Sequence, residues 1–235
     1  MSETYAIVLA GGVGRRMRSA VPKQYLPLAG APVIAWSLMA FQKSPEVDRI
    51  ILVTAEADAA WVKSTITDPM HITKLLAFAP AGAERADSVQ NGLNAIEDDD
   101  GIVLIHDGAR PAVTEEIIAR CCADAKTFGA CAAAMPVKDT IKVADPDGFV
   151  LSTPDRRTLW MMQTPQAFRL PLIREAYRKY GQMADRSGVT DDAMLVERFT
   201  DVKVRLTKGS YSNIKITTPE DLPQAEILVD RKILS

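Results

Sequence analysis

Short β-branched and apolar runs alternate with segments of helical period through the first two thirds of this chain. The runs fall at residues 5–9, 49–53, 102–106 and 131–137, with a weaker one at 75–78. Helical spacing of apolar residues occupies 33–41, 58–66, 88–96 and 115–125. Continuously apolar strands must be covered on both faces. Strands that alternate with helices join through crossovers that make neighbours parallel. The expected class is therefore α/β, a mostly parallel Rossmann-like sheet with helices on both faces. Ligands of such sheets bind beyond the carboxyl ends of the strands. The loops that gather there span residues 9–22, 80–87 and 106–111.

The alternation breaks after Val137. Residues 140–143 and 149–152 read as two strands around the turn Ala144-Asp145-Pro146-Asp147-Gly148. They form a β-hairpin arm, at about 138–160, projecting from a single domain that spans 1–235. A lone hairpin is marginal in water, so it needs a surface to pack against, and a second subunit supplies one. The last helix reads as starting with Thr218 as N-cap, Pro219 at the first helical position and Asp221 in the first turn.

With 47% apolar residues, the 235-residue chain has enough material for a sizeable core. Its net charge of −2 provides no general field for nucleic acid or an acidic membrane, so any phosphate site must be local. Cys121, Cys122 and Cys131 have no paired zinc-ligand spacing and are odd in number, which fits free thiols in a reducing compartment. Residues 1–4 hold no basic region, and the apolar run at 5–10 is short for a signal peptide. No stretch approaches the roughly 20 apolar residues of a membrane span. A cytoplasmic protein is expected.

One local phosphate site is visible. Leu9-Ala10-Gly11-Gly12-Val13-Gly14-Arg15-Arg16-Met17 follows the first strand, and Pro22-Lys23-Gln24-Tyr25 follows it. Glycines let a backbone approach a ligand, and successive amides in such a turn form a nest for anions. Arg and Lys beside the nest follow phosphate oxygens as fork and point charge. A dinucleotide fingerprint would need glycine where Met17 stands, and no Gly-Lys-Ser/Thr of a P-loop is present. A plain glycine turn with solvated arginines is the bland alternative. The fixed register of Arg16 and Pro22-Lys23 after a first strand argues against it.

The stretch resembles the signature of the sugar-nucleotide pyrophosphorylase and cytidylyltransferase superfamily. The run Pro22-Lys23-Gln24-Tyr25-Leu26-Pro27-Leu28 is narrower and resembles the 2-C-methyl-D-erythritol 4-phosphate cytidylyltransferase family. The likeness continues through Gly82-Ala83-Glu84-Arg85-Ala86-Asp87-Ser88-Val89 and His106-Asp107-Gly108-Ala109-Arg110-Pro111 to Asn213-Ile214-Lys215-Ile216-Thr217. It implies transfer of CMP from CTP to a polyol phosphate with release of pyrophosphate, helped by Mg²⁺ or another divalent cation. Ribitol 5-phosphate cytidylyltransferases share much of the pattern. A non-catalytic nucleotide-binding protein on the same scaffold is a third reading, against which Arg16 and Lys23 both stand.

The resemblance also implies roles. Arg16 and Lys23 surround the α-phosphate, while Arg156 and Lys215 hold the attacking phosphate. Ala10, Gly11, Gly12 and Gly14 offer backbone to the nucleotide. Gly82, Asp87 and Ser88 face its base and ribose, although Asp and Ser are also good helix caps. Asp107 and Gly108 belong to the nucleotide side, with Asp107 as metal ligand directly or through water. A hard Mg²⁺ takes one or two carboxylates plus phosphates; the bland reading of Asp107 is a turn aspartate. Arg110, Thr140, Thr190 and Asp191 serve the acceptor. His106 follows a buried strand and reads as structural. Relatives with such an arm are homodimers, in which Arg156 and Thr140 reach the neighbour's site.

Overall fold

In a computed structural model, residues 2–12, 14–17, 19 and 21–234 are described, Arg15 by its backbone alone. β1 (Thr4–Leu9) is buried almost throughout and lies mid-sheet. The chain then passes the glycine loop and a small antiparallel pair, β2 (Pro27–Leu28) and β3 (Ala31–Pro32). α1 (Val33–Lys43), β4 (Arg49–Thr54), the short α2 (Ala59–Val62) and β5 (Leu75–Pro80) follow. Next come α3 (Arg85–Asn94), β6 (Ile102–Asp107), α4 (Glu115–Phe128) and β7 (Ala130–Pro136). β8 (Val143–Ala144) and β9 (Val150–Ser152) form the arm. β10 (Trp160–Arg169), α5 (Leu170–Gly181), α6 (Asp192–Phe199), β11 (Arg205–Lys208) and α7 (Asp221–Leu228) complete the order.

The main sheet has seven strands in the order β11-β7-β10-β6-β1-β4-β5. Its pairings are parallel except where β10 inserts antiparallel between β6 and β7. The alternation expected of a strand covered on both faces is visible in β1. Ala6 and Val8 pack with Ile34, Leu38 and Phe41 of α1 and with Ile117 and Ile118 of α4. Tyr5 and Ile7 pack on the other face with Val89 and Leu93 of α3, Tyr177 of α5 and Leu195 of α6. β1 and β6 are neighbours, but the chain leaves β1 towards β4 and leaves β6 towards β7, on the opposite side. Their connections diverge and open a crevice beyond their carboxyl ends, the topological switch point where open α/β sheets bind ligands.

Several expected boundaries change. The helical segment at 58–66 is broken into a 3₁₀ turn (Glu56–Asp58), α2 and a π turn (Lys63–Thr67). The arm strands are shorter than expected, with none at 140–142. Thr218 does not cap the last helix. α7 begins at Asp221, whose carboxylate accepts from Thr217 N (2.8 Å) and Thr218 N (2.9 Å), so the acid supplies the turn chemistry expected of the threonine. β10 and β11 have no counterpart in the apolar runs of the sequence. A strand with Gln, Thr and Pro in Trp160–Arg169 reads poorly as a buried one; its register shifts between Met162 and Gln166, and that irregularity houses Pro165.

Candidate active site

The crevice holds two adjoining cavities. The first, about 250 Å³, is lined by the loop after β1 (Leu9 to Gly12), Lys23 and Gln24, the loop before α3, and Asp107. The second, about 240 Å³, lies towards β10 and is lined by Arg110, Gln163, Gln166, Thr190 and Asp191. Arg85, Asp107 and Lys215 border both. One cluster of charge is therefore the shared wall.

Asp107 ends β6 and is 8% exposed. Its Oδ2 lies 2.8 Å from Lys215 Nζ and 3.8 Å from Arg110 Nε, and its Oδ1 lies 3.3 Å from Arg85 Nε. Burial alone would raise its pKa. Arg85, Lys215 and Arg110 outweigh that and hold the carboxyl below its ordinary value. Around this one carboxylate stand three cations, with Lys23 close by, so the wall is electropositive and suited to phosphates.

Lys23 is positioned by local sequence. Pro22 leads into the 3₁₀ turn Lys23–Tyr25. The buried Gln24 donates from Nε2 to Ala10 O (2.6 Å), tying this turn to the glycine loop. Lys23 Nζ donates to Ile216 O (2.7 Å), just beyond Lys215. Burial, then the charge of Lys215, pull its pKa down to about 8, with Arg16 pulling the same way and Asp107 opposing. A lysine already costly to charge gains most from an arriving phosphate.

The glycines divide by cause. A Cβ on Gly11 would stand 2.2 Å from Ala81 Cβ, and one on Gly82 2.2 Å from Asp87 Cβ. These two are demanded by loop-to-loop and loop-to-helix packing. Among the described residues, a Cβ on Gly12 would meet nothing within 4 Å, and its backbone faces the open cavity. Gly14 has φ +63°, a left-handed turn that lets its carbonyl accept from Met17 N (2.8 Å). Gly108 lies outside the cavity wall. A Cβ there would stand 2.3 Å from Ile34 Cδ1, and its N–H is committed to Leu9 O (2.9 Å).

Among the other expected residues, Ala10, Gly12, Gly82, Ser88, Lys23 and Lys215 share the first cavity with Asp107. Arg110, Thr190 and Asp191 share the second. Asp87 does serve the cap: Glu84, in extended conformation, is the N-cap of α3, and Asp87 is the N3 residue of its capping box, Oδ2 accepting from Glu84 N (3.1 Å), while its side chain lines neither cavity. Ser88 Oγ accepts from Gly82 N (3.0 Å), which fixes the loop beside the cavity. Arg16 sits exposed on the turn Arg15–Met17, outside the cavity wall, yet near enough to lower the Lys23 pKa. Thr140 and Arg156 are exposed on the arm and line neither cavity; Arg156 Nη1 donates to Lys138 O (2.8 Å). His106 is fully buried and pushed by burial down to about 3, hence neutral. It bridges Thr164 Oγ1 (3.0 Å) and Arg110 O (3.3 Å), a structural link under the site.

The family described as IspD, 2-C-methyl-D-erythritol 4-phosphate cytidylyltransferase, matches residues 4–231. The chain belongs to this family. A relative of that description from Lachnospira eligens is 50% identical over 224 residues, covering 95% of this chain and 98% of the relative. One from Syntrophus aciditrophicus is 46% identical over 227 residues, covering 97% and 96%. The crystal structure of 4-diphosphocytidyl-2C-methyl-D-erythritol synthase from Anaerococcus prevotii superposes with a TM-score of 0.84 at 34% identity, over 98% of this chain and 97% of that one. The Francisella tularensis IspD gives 0.81 at 30% identity, over 97% and 100%.

Within this cytidylyltransferase fold, several residues at the site escaped the sequence reading. Arg85 borders both cavities, Gln24 pins the glycine loop, and Asp192 is a buried partner beside the expected Asp191. The register shift in β10 sets Gln163 and Thr164 against the site, where Thr164 Oγ1 accepts from Asp107 N (3.0 Å). Arg85 and Gln24 lie inside motifs quoted for the family, so a polar side chain within a ligand-facing loop was their signal. Gln163, Thr164 and Asp192 had none, because only tertiary contact brings them there.

Proposed function

We propose that this chain transfers CMP from CTP to 2-C-methyl-D-erythritol 4-phosphate, giving 4-CDP-2-C-methyl-D-erythritol and pyrophosphate for isoprenoid precursor synthesis. The observation that carries the reading is the pair of adjoining cavities with one cationic wall, in a chain of this family. A reaction between two phosphate-bearing substrates needs two pockets that meet at charge. In-line attack by an acceptor phosphate oxygen on the α-phosphorus asks for positioning and charge stabilisation, with no protein nucleophile.

In this reading Gly12 and its neighbours receive the triphosphate and the loop at Gly82–Ser88 the base. Lys23 and Arg16 meet charge as it builds at the α-phosphorus. Lys215 turns from Asp107 to the acceptor phosphate, whose polyol lies towards Thr190 and Asp191. A divalent cation, Mg²⁺ as proposed, suits the donor set if substrate phosphates supply most of its ligands, because Asp107 offers one hard carboxylate kept ionised by its neighbours. When bound, it neutralises triphosphate charge. Among the described residues, no group of three or more His, Cys, Asp or Glu side chains forms a cage for a metal without substrate.

The arm supports a homodimer. Phe149, Val150 and Leu151 are 72%, 58% and 66% exposed, an apolar strip that a second copy would cover. Arg156 and Thr140 lie outside their own chain's cavities, which fits service to the partner's site. No helix among the described residues is long and apolar enough to cross a membrane; a cytoplasmic location remains part of the proposal.

Pyrophosphate release measured across the four ribonucleoside triphosphates and several polyol phosphates, with and without chelator, tests the reading. CTP with 2-C-methyl-D-erythritol 4-phosphate should give the highest kcat/KM, and chelation should abolish it. A higher value with ribitol 5-phosphate would replace the acceptor. Release with no pair would end the enzyme reading.

A further inference from the structure

Arg85 is the first residue of α3, and its guanidinium makes two ion pairs, one with Asp107 and one with Asp192. Nε reaches Asp107 Oδ1 (3.3 Å) on the shared wall, and Nη2 reaches Asp192 Oδ2 (2.8 Å). Asp192 is completely buried and is the first residue of α6. Its other oxygen accepts from Tyr177 Oη (2.6 Å) of α5. The residues just before it, Thr190 and Asp191, line the acceptor cavity, and Asp191 is the N-cap of α6. Asp191 Oδ1 accepts from Met194 N (3.0 Å) and its Oδ2 from Gln166 Nε2 (2.8 Å). The cavity bordered by Arg85, Tyr177 and Thr190 to Asp192 is only about 20 Å³, so this junction is nearly filled.

Three parts of the site therefore meet on one side chain. α3 follows directly on the loop at residues 82–84 that lines the nucleotide cavity. Asp107 stands between the cavities. The start of α6 sets the acceptor wall. Lys215 also pairs with Asp107, but its side chain is 37% exposed, whereas that of Arg85 is 28% exposed and anchored twice. Lys215 can leave for a phosphate; Arg85 is held where it is. Burial alone would lower the Arg85 pKa, but Asp192 and Asp107 outweigh it, and the guanidinium stays charged.

We propose that Arg85 is a positioning residue that couples the two halves of the site, holding Asp107 and the start of α6 in one register through the chain Tyr177–Asp192–Arg85–Asp107. The inference rests on the cytidylyl transfer proposed above and adds a residue to it. A fork is needed, because two carboxylates on different elements are bridged at fixed spacing; an ammonium is a point charge that satisfies one of them. Replacing Arg85 by Ala would strand a buried carboxylate and endanger the fold, so gentler variants carry the test.

The experiment compares wild type, Arg85→Lys, Tyr177→Phe and the double variant in steady-state turnover of CTP and 2-C-methyl-D-erythritol 4-phosphate. Calorimetric titration of CTP without acceptor and thermal melts accompany it. Arg85→Lys should lower kcat by about 10-fold and raise the acceptor KM by about 5-fold or more, the scale of coupling between sites, with weaker CTP binding in the titration. Tyr177→Phe acts only at the Asp192 end. It should raise the acceptor KM by a few fold and leave CTP binding unchanged. The double variant should be less than additive, since both changes act through Asp192. Folded variants with lowered melting temperatures but wild-type KM values and CTP binding would overturn the proposal. So would an Arg85→Lys indistinguishable from wild type, which would mean that charge alone suffices. A wild-type protein that releases no pyrophosphate would instead overturn the proposed function, and the coupling with it.

Discussion

The two halves of the crevice, the one proposed for the nucleotide and the one proposed for the acceptor, are built differently. The nucleotide half is made of loops at the ends of buried parallel strands, pinned by short-range bonds such as Gln24 to Ala10 O and Ser88 to Gly82 N. The acceptor half is made of side chains that meet only through tertiary structure. Asn213 O receives Arg110 Nη1 at 2.8 Å, Gln166 holds Asp191, and Arg85 joins Asp107 to Asp192. The first half is lined by one chain's own loops, down to the open face of Gly12. The second holds Arg110, Lys215 and Thr190 but not Thr140 and Arg156, which stand on an arm whose apolar strip is exposed. One half of such a site can be inherited as a motif, while the other has to be assembled.

The largest expected effect separates chemistry from binding on the nucleotide side. Lys23→Ala and Arg16→Ala should each lower kcat on the order of 10²-fold or more, by analogy with lost oxyanion donors. Steady-state kinetics decides it, because a rise in KM with kcat unchanged would mean uniform binding. The glycines sharpen the contrast between packing and recognition. Gly11→Ala puts a methyl group onto Ala81 and should cost about 1–3 kcal/mol of stability in denaturant melts. Gly12→Ala meets no described residue within 4 Å and should leave stability unchanged while weakening CTP in calorimetric titration.

A smaller effect comes from pH. Burial and the charge of Lys215 hold the Lys23 pKa down to about 8, and its charged form is the useful one. kcat/KM should therefore be steady below that value and fall as pH rises through it, by about tenfold per unit well above. A bound phosphate raises the Lys23 pKa, so kcat should break at a higher pH than kcat/KM. A kcat/KM flat from pH 7 to 10 would remove Lys23 from the charge that meets the nucleotide. His106, neutral and held low, should contribute no limb between pH 5 and 9.

The nucleotide half was also the more legible in sequence, for the same physical reason. A glycine nest and its basic residues lie within one short stretch, so spacing carries the information. Even there, spacing did not tell why each glycine is needed: Gly11 and Gly82 answer to neighbours brought by folding, Gly12 to the cavity. The parallel part of the sheet was readable because buried strands are continuously apolar. β10 was not, since its Gln163, Thr164 and Pro165 serve the site at the cost of a strand pattern. Asp191 is part of a family motif, but the neighbouring Asp192 carries the buried ion pair. No local pattern distinguishes two adjacent aspartates when their partners are Arg85 and Tyr177, far away in the chain.

The claim that one centre is assembled from two unlike halves, the second borrowed in part from a partner, is tested most directly by subunit mixing. Arg16→Ala and Arg156→Ala proteins, each inactive alone, are combined under conditions of exchange. Random reassortment in a twofold dimer makes about half of the pairs mixed, each with one site intact and one doubly damaged. Activity should then return to roughly a quarter of wild type. If Arg156 works within its own chain, both sites of every mixed pair stay broken, and no recovery on mixing would contradict the account.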